Sequence, residues 1–270
     1  MSDMEELAGI SEKNRRHITK LHRHTIGLVS VEEAADLLGM DRKQTAKMLS
    51  ALTKQGWVRR LRRGLYLLIP LEATSPEDWR ADPWVVAEYV FKPAYIAGWS
   101  ASEHWGFTEQ VFRDIAVYTG SRIRERRTTI DQTDFALKKI PKQLFFGTQA
   151  VWRNDARVTV SDPTRTVVDI FDDPKWGGGM RHVAQITDAY LESEYCNDDL
   201  LIEYINQIGN SSAAKRLGHL LETRRAGNLD LMDKLKPLIT KGYVLLDPSV
   251  PPTGPFVSKW KVRVNLDISQ

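Results

Sequence analysis

Residues 30–52, SVEEAADLLGMDRKQTAKMLSAL, decide the fold of the first part of the chain. Ser30 and Glu33 have the spacing of a capping box, in which the hydroxyl accepts from the Glu33 amide and the carboxylate accepts from the Ser30 amide. Val31, Ala34, Ala35 and Leu38 then recur at helical spacing, and Gly39 supplies a stop. Asp41 caps a second helix that repeats the apolar stripe with Thr45, Met48, Leu49 and Leu52. Two short helices this close together predict a helix-turn-helix.

Working outward, residues 56–68, GWVRRLRRGLYLL, read as two short strands around a basic turn at Gly64. A hairpin placed after a helix-turn-helix is a wing. Upstream, residues 11–27 fit a helix with Ile18, Leu21 and Ile26 inward and Arg15, Arg16, Lys20 and Arg23 outward. The second helix of the pair leaves Arg42, Lys43, Gln44 and Lys47 on its N-terminal, non-core face, where a helix in the major groove meets base edges. Arg and Lys suit guanine and Gln suits adenine. Arg59, Arg60, Arg62 and Arg63 put four guanidiniums in the wing, a density that suits phosphates or a minor groove. The competing reading of the same pattern is a protein-binding winged helix with a solvated charged face.

The charge distribution favours the nucleic-acid reading. Residues 1–70 hold 13 Lys and Arg against 8 Asp and Glu, whereas the remaining 200 residues hold 25 against 27. The positive charge is therefore concentrated in the winged segment. One cysteine, Cys196, excludes an internal disulfide, and no apolar run approaches the roughly 18 residues of a membrane span. The expectation is a soluble, cytoplasmic protein without a membrane partner.

Pro70, Pro76 and Pro83, with Thr74 and Ser75, break the pattern and mark residues 71–83 as a linker. The expected class is α+β: a winged helix-turn-helix at 1–70, then a larger mixed α/β domain at 84–270 that ends in a helical, bundle-like segment. Within it we expect a helix at 83–91 and a strand at 95–99. Ser100 and Glu103 fit a capping box that opens a further helix. Strands are expected at 114–119, 128–137, 144–152 and 157–160. After Asp162-Pro163 the chain turns helical at 164–171, 180–191, 198–208, 212–223 and 229–240, and residues 258–267 alternate enough for a last strand.

Signals of catalysis are weak. His22 and His24 point about 200° apart on a helix and make poor joint ligands. Gly177-Gly178-Gly179 lacks the Lys and Ser or Thr of a phosphate loop and reads as a hinge or cap. His104 reads as a packed histidine and Cys196 as inert. No cofactor, metal or catalytic residue is expected. The rival class is a DNA-processing nuclease guided by the winged helix, for which Asp114 and the run from Glu125 offer a loose carboxylate pattern. Arg122, Arg124, Arg126 and Arg127 form a second basic run, and Lys215 with Arg216 a third pair, all candidate secondary contacts.

Several stretches in order carry a family resemblance: Gly64-Leu65-Tyr66, residues 95–101 (YIAGWSA), His104-Trp105-Gly106, Phe145-Phe146-Gly147, residues 162–169 (DPTRTVVD), Gly177-Gly178-Gly179 and residues 214–222 (AKRLGHLLE). In these the chain resembles the AbiEi-type antitoxins of bacterial abortive-infection and toxin-antitoxin systems, also described as transcriptional regulators of viral (phage) defence systems. Thr164 stands where that family usually has an acidic residue. The resemblance implies a winged helix that represses its own operon at inverted repeats in double-stranded promoter DNA. It also implies a C-terminal antitoxin domain and a cognate toxin of nucleotidyltransferase fold. The antitoxin role rests on the resemblance alone.

Overall fold

The computed structural model describes residues 10–70, 73, 79–224 and 229–268, so most of the expected linker, together with Arg225, lies outside the described residues. The chain divides into two compact units. One takes in Met1–Val90, Thr129–Thr133 and Trp152–Arg157, and the other takes in the rest.

The first unit is a winged helix. Helix α1 (Glu12–His24) leads to strand β1 (Leu28–Ser30), helices α2 (Val31–Leu38) and α3 (Arg42–Lys54), and the hairpin β2 (Val58–Arg62) and β3 (Leu65–Leu68). The strands form an antiparallel sheet in the order β1-β3-β2. The capping box forms: the Glu33 amide donates to the Ser30 hydroxyl at 3.1 Å and the Ser30 amide to the Glu33 carboxylate at 2.9 Å. The hydroxyl of Tyr89, on α4 (Pro83–Phe91), donates to the same carboxylate. Gly39 closes α2 in the left-handed conformation, which turns the chain sharply enough for α3 to begin soon after it. The apolar stripes meet as expected, with Ile18, Leu21, Val29, Leu49, Leu52, Trp57 and Tyr66 in one core.

The second unit is built on a six-stranded sheet in the order β6-β7-β5-β4-β9-β8, from β4 (Ala94–Ile96), β5 (Asp114–Thr119), β6 (Arg127–Ile130), β7 (Thr133–Lys139), β8 (Thr148–Arg153) and β9 (Ala156–Ser161). It is mixed: β4 runs antiparallel to β5 and parallel to β9, and β5 runs parallel to β7. The segment expected as one strand at 128–137 is instead two, because Asp131 and Gln132 take positive φ and form a tight turn. The expected strand at 95–99 is β4 alone. The expected capping box at Ser100 does not form: helix α5 (Gly98–His104) begins earlier, and the Ser100 hydroxyl accepts from the Ala116 amide at 3.0 Å.

The helical part comprises α6 (Pro163–Asp172), α7 (Met180–Glu192), α8 (Asp198–Ile208), α9 (Ser212–Arg224) and α10 (Leu229–Leu235). The last of these ends short of the expected 240 as Pro237 enters a 3-10 turn. Helix α6 packs against α5, α7, α8 and α9, and residues 163–171 are all buried. Residues 162–169 serve this burial. The Asp162 carboxylate accepts from the Arg165 amide at 2.7 Å, capping α6, and Pro163 takes the first helical position. Arg165 Nε donates to Asp169 Oδ1 at 2.9 Å and its Nη2 to the Tyr95 hydroxyl at 3.1 Å, while that hydroxyl donates to Asp169 Oδ2 at 3.0 Å. A buried ion pair is thus closed into a satisfied network. A small sheet, β10 (Val244–Leu245), β12 (Val262–Arg263) and β11 (Phe256–Val257) in that order, covers α9, where a Cβ on Gly218 would lie 2.0 Å from the Trp260 ring.

Candidate nucleic-acid interface

Helix α3 is set by what it buries. Thr45, Leu49 and Leu52 face the core, and Asp41 caps the N-terminus by accepting from the Lys43 amide at 2.8 Å and the Gln44 amide at 3.2 Å. Arg42, Lys43, Gln44 and Lys47 are left exposed by the same geometry. In the wing the strand register shifts between Arg60 and Arg62, a bulge that bends β2. Arg60, Arg62 and Arg63 are exposed at or beside the turn.

An open groove of about 670 Å³ joins the two elements, with Arg42 and Lys43 on the α3 side and Arg60, Arg63 and Gly64 on the wing side. Glu32 also lines it and pairs with Arg42. Both side chains of that pair are largely exposed, so the bond is weak and readily exchanged for a phosphate. Gln44, Lys47 and Arg62 are exposed but do not line the groove.

Arg59 behaves differently from its three neighbours. Its side chain is 24% exposed and its Nη1 lies 3.4 Å from Asp131 Oδ1 within the same unit. Asp131 Oδ2 also accepts from the Ala81 amide at 3.3 Å. Arg59 therefore anchors β2 rather than projecting from the wing.

A basic surface that the sequence showed only as outward-facing residues runs along α1. Arg15, Arg16, Lys20, Arg23 and His24 line a shallow depression of about 520 Å³. On the same helix the His17 imidazole is held below its ordinary value, first by burial and then by Lys13 and Lys20.

The secondary candidates separate. Arg122, Arg124, Arg126 and Arg127 are exposed on the second unit, and Arg127 pairs with Asp114 at 3.2 Å. Lys215 and Arg216, expected as possible contacts, are 2% and 4% exposed. Lys215 Nζ donates to the Thr240 hydroxyl at 3.0 Å and the Gly242 carbonyl at 2.6 Å, and burial followed by Arg216 lowers its ammonium below the usual lysine range. Arg216 donates to the carbonyls of Phe171, Asp172 and Leu245 at 2.8, 2.7 and 3.0 Å. Neither cation is at the surface, because α9 is a central helix whose polar side chains are used to tie neighbouring segments together.

The weaker motifs resolve in the same way. Gly179 leads into α7, whose first amide, that of Met180, donates to Asp247 Oδ2 at 2.8 Å, so a carboxylate of the chain already occupies that helix end. His104 is exposed beside the Trp105 ring rather than packed. Burial, then Asp198, raises the Cys196 thiol and suppresses its thiolate. Among the described residues no group of three or more His, Cys, Asp or Glu side chains is placed to hold a metal ion, and no helix is long and apolar enough to cross a membrane.

Comparison with known proteins bears on the first unit most directly. Residues 16–69 match the family model described as transcriptional regulator, AbiEi antitoxin. The match runs from within α1 to just past the wing. No curated protein matches the chain significantly. Among solved structures, the RV2827C protein from Mycobacterium tuberculosis is similar in fold, with a TM-score of 0.59 at 16% identity over 94% of this chain and 92% of that one.

Proposed function

We propose that this protein is a DNA-binding repressor of its own toxin-antitoxin operon, reading inverted repeats in the promoter through α3, and that its second unit counteracts a toxin of nucleotidyltransferase type. The observation that carries the DNA-binding part is the single groove lined by Arg42 and Lys43 from α3 and by Arg60 and Arg63 from the wing. A helix entering the major groove delivers the first pair to base edges, and the wing delivers the second to phosphates or the minor groove. The match of residues 16–69 to a transcriptional-regulator family supports this reading. The antitoxin part rests on the family named in that match and on the resemblance of the larger domain. The nuclease alternative draws no support from Asp114, whose carboxylate faces Arg127.

The test is promoter discrimination. Replacing Arg42, Lys43 and Gln44 together by Ala should reduce the preference for the native promoter over random duplex, since each good bidentate base contact contributes about 1–3 kcal/mol of discrimination. An unchanged preference would remove α3 from the interface. For the second unit, co-expression with the toxin encoded beside it should show growth rescue that survives the same triple substitution.

A further inference from the structure

The three-stranded sheet at the C-terminal end alternates in a way the proposed repressor role does not use. Val262 is fully buried, and Val244 and Val257, its partners in register on either side, pack against the same core. The period of two turns Phe256, Arg263 and Leu245 to the other face, while Tyr243 precedes β10 and Lys261, at φ 53°, precedes β12, each placed by its contact with the other. Phe256 and Arg263 are register partners, and Lys261 lies two residues before Arg263. The outer face thus carries two aromatic rings and two cations. Phe256 is 57% and Tyr243 44% exposed, and their rings meet edge to face, with centroids 5.0 Å apart and planes at 77°. Arg263 lies 5.1 Å from the Phe256 centroid and Lys261 5.3 Å from that of Tyr243.

The segment's own exposed charges are of one sign, and the carboxylate that reaches it, Glu222 of α9, is paired with Lys259 and Trp260. Between residues 240 and 263 the only carboxylate is Asp247, which is buried and accepts from the amides of Met180 and Ser249. The loop before β11 is pinned from β12's side by Asn265, whose side-chain amide donates to the carbonyls of Asp247, Val250 and Pro251 at 2.7, 3.2 and 3.2 Å. Two exposed rings set edge to face, each with a cation over one side, offer a polyanion with unpaired bases both ring surface and positive charge. A duplex hides its base faces, and an acidic peptide would engage the cations but leave both rings in water.

We infer that the outer face of the β10-β12-β11 sheet binds an unpaired RNA strand, with bases on Phe256 and Tyr243 and phosphates on Lys261 and Arg263. RNA is the nucleic acid that ordinarily presents unpaired loops and ends to aromatic side chains. The site lies wholly in the second unit and is independent of the α3 groove.

The experiment is fluorescence anisotropy of the full chain with a labelled oligouridylate, in excess unlabelled random duplex. Saturable binding should persist under the duplex and in the Arg42, Lys43 and Gln44 triple-alanine variant. Phe256→Ala and Tyr243→Ala should each weaken it about tenfold, whereas Phe256→Tyr should retain it. Lys261→Ala with Arg263→Ala should flatten the slope of log K against log salt by about 0.7 for each phosphate the pair had neutralised. Both rings are well exposed, so the urea midpoints of these variants should equal that of the parent. The assignment is overturned if oligouridylate does not bind, if duplex displaces it, if the aromatic variants bind as the parent does, or if oligodeoxythymidylate binds more tightly. Self-association abolished by Phe256→Ala, with no RNA affinity, would make the face an interface between copies of the chain instead.

Discussion

Arg216 shows how a surface-like residue type becomes a structural tie. Its guanidinium joins the last carbonyls of α6 to the β10 strand, and a cation at a helix C-terminus is also favoured by the helix dipole. Arg216→Ala strands three carbonyl acceptors, so we expect a loss of roughly 3 kcal/mol, read as a lower urea midpoint, with promoter affinity per folded molecule unchanged. One turn further along α9, His219 is buried and its imidazole is held below the ordinary value, chiefly by burial, with Glu222 opposing. The folded chain then takes up this proton less readily than the unfolded chain. The stabilisation is full above the ordinary value of about 6.5 and is lost as pH falls below it toward the lowered folded value. His219→Gln should flatten the fall of the urea midpoint with pH in that window. An equally steep fall in the variant would place the acid sensitivity elsewhere. Asp169 shifts the other way: burial raises its carboxyl, against the pull of Arg165 and Lys138.

At the scale of elements, the wing divides between anchoring and contact. Arg60 and Arg63 line the groove, whereas Arg59 is held by Asp131. Arg60→Ala with Arg63→Ala should weaken native and random duplex alike and reduce the slope of log K against log salt by roughly 0.9 for each phosphate left without its cation. Arg59→Ala should leave that slope unchanged and instead lower stability by about 1–2 kcal/mol, because the Asp131 carboxylate is left in a buried site without its cation. A salt slope altered by Arg59→Ala as much as by the other pair would return it to the interface. The run of four arginines reads as one feature in the sequence. Strand alternation, the bulge and a partner 72 residues away separate its members.

At the scale of the whole molecule, three clusters of buried residues among the described residues draw on different stretches of the chain. The winged-helix core draws on residues 10–68, and the other two clusters on residues from 95 to 268. A compact unit of the chain is expected to unfold as its own cooperative step. Calorimetry of the full chain should resolve two transitions, and operator duplex should raise only one of them, since a ligand stabilises the unit that binds it. Promoter DNA that shifted both together would show one cooperative body. The helix pair, its caps, the wing and the exposed face of α3 were all legible in the sequence, because capping, turning and amphipathic period are local and act within about a dozen residues. The family match at residues 16–69 falls on that stretch. The motif at 162–169 and the pair Lys215 and Arg216 were visible but not interpretable, since their partners, Tyr95, Thr240, Gly242, Phe171 and Leu245, lie far away in the chain. Whether a charged side chain meets solvent or a carbonyl depends on which segments pack over it. Sequence alone therefore determined the winged helix and its basic face, and tertiary structure alone decided which cations remain free to meet a ligand.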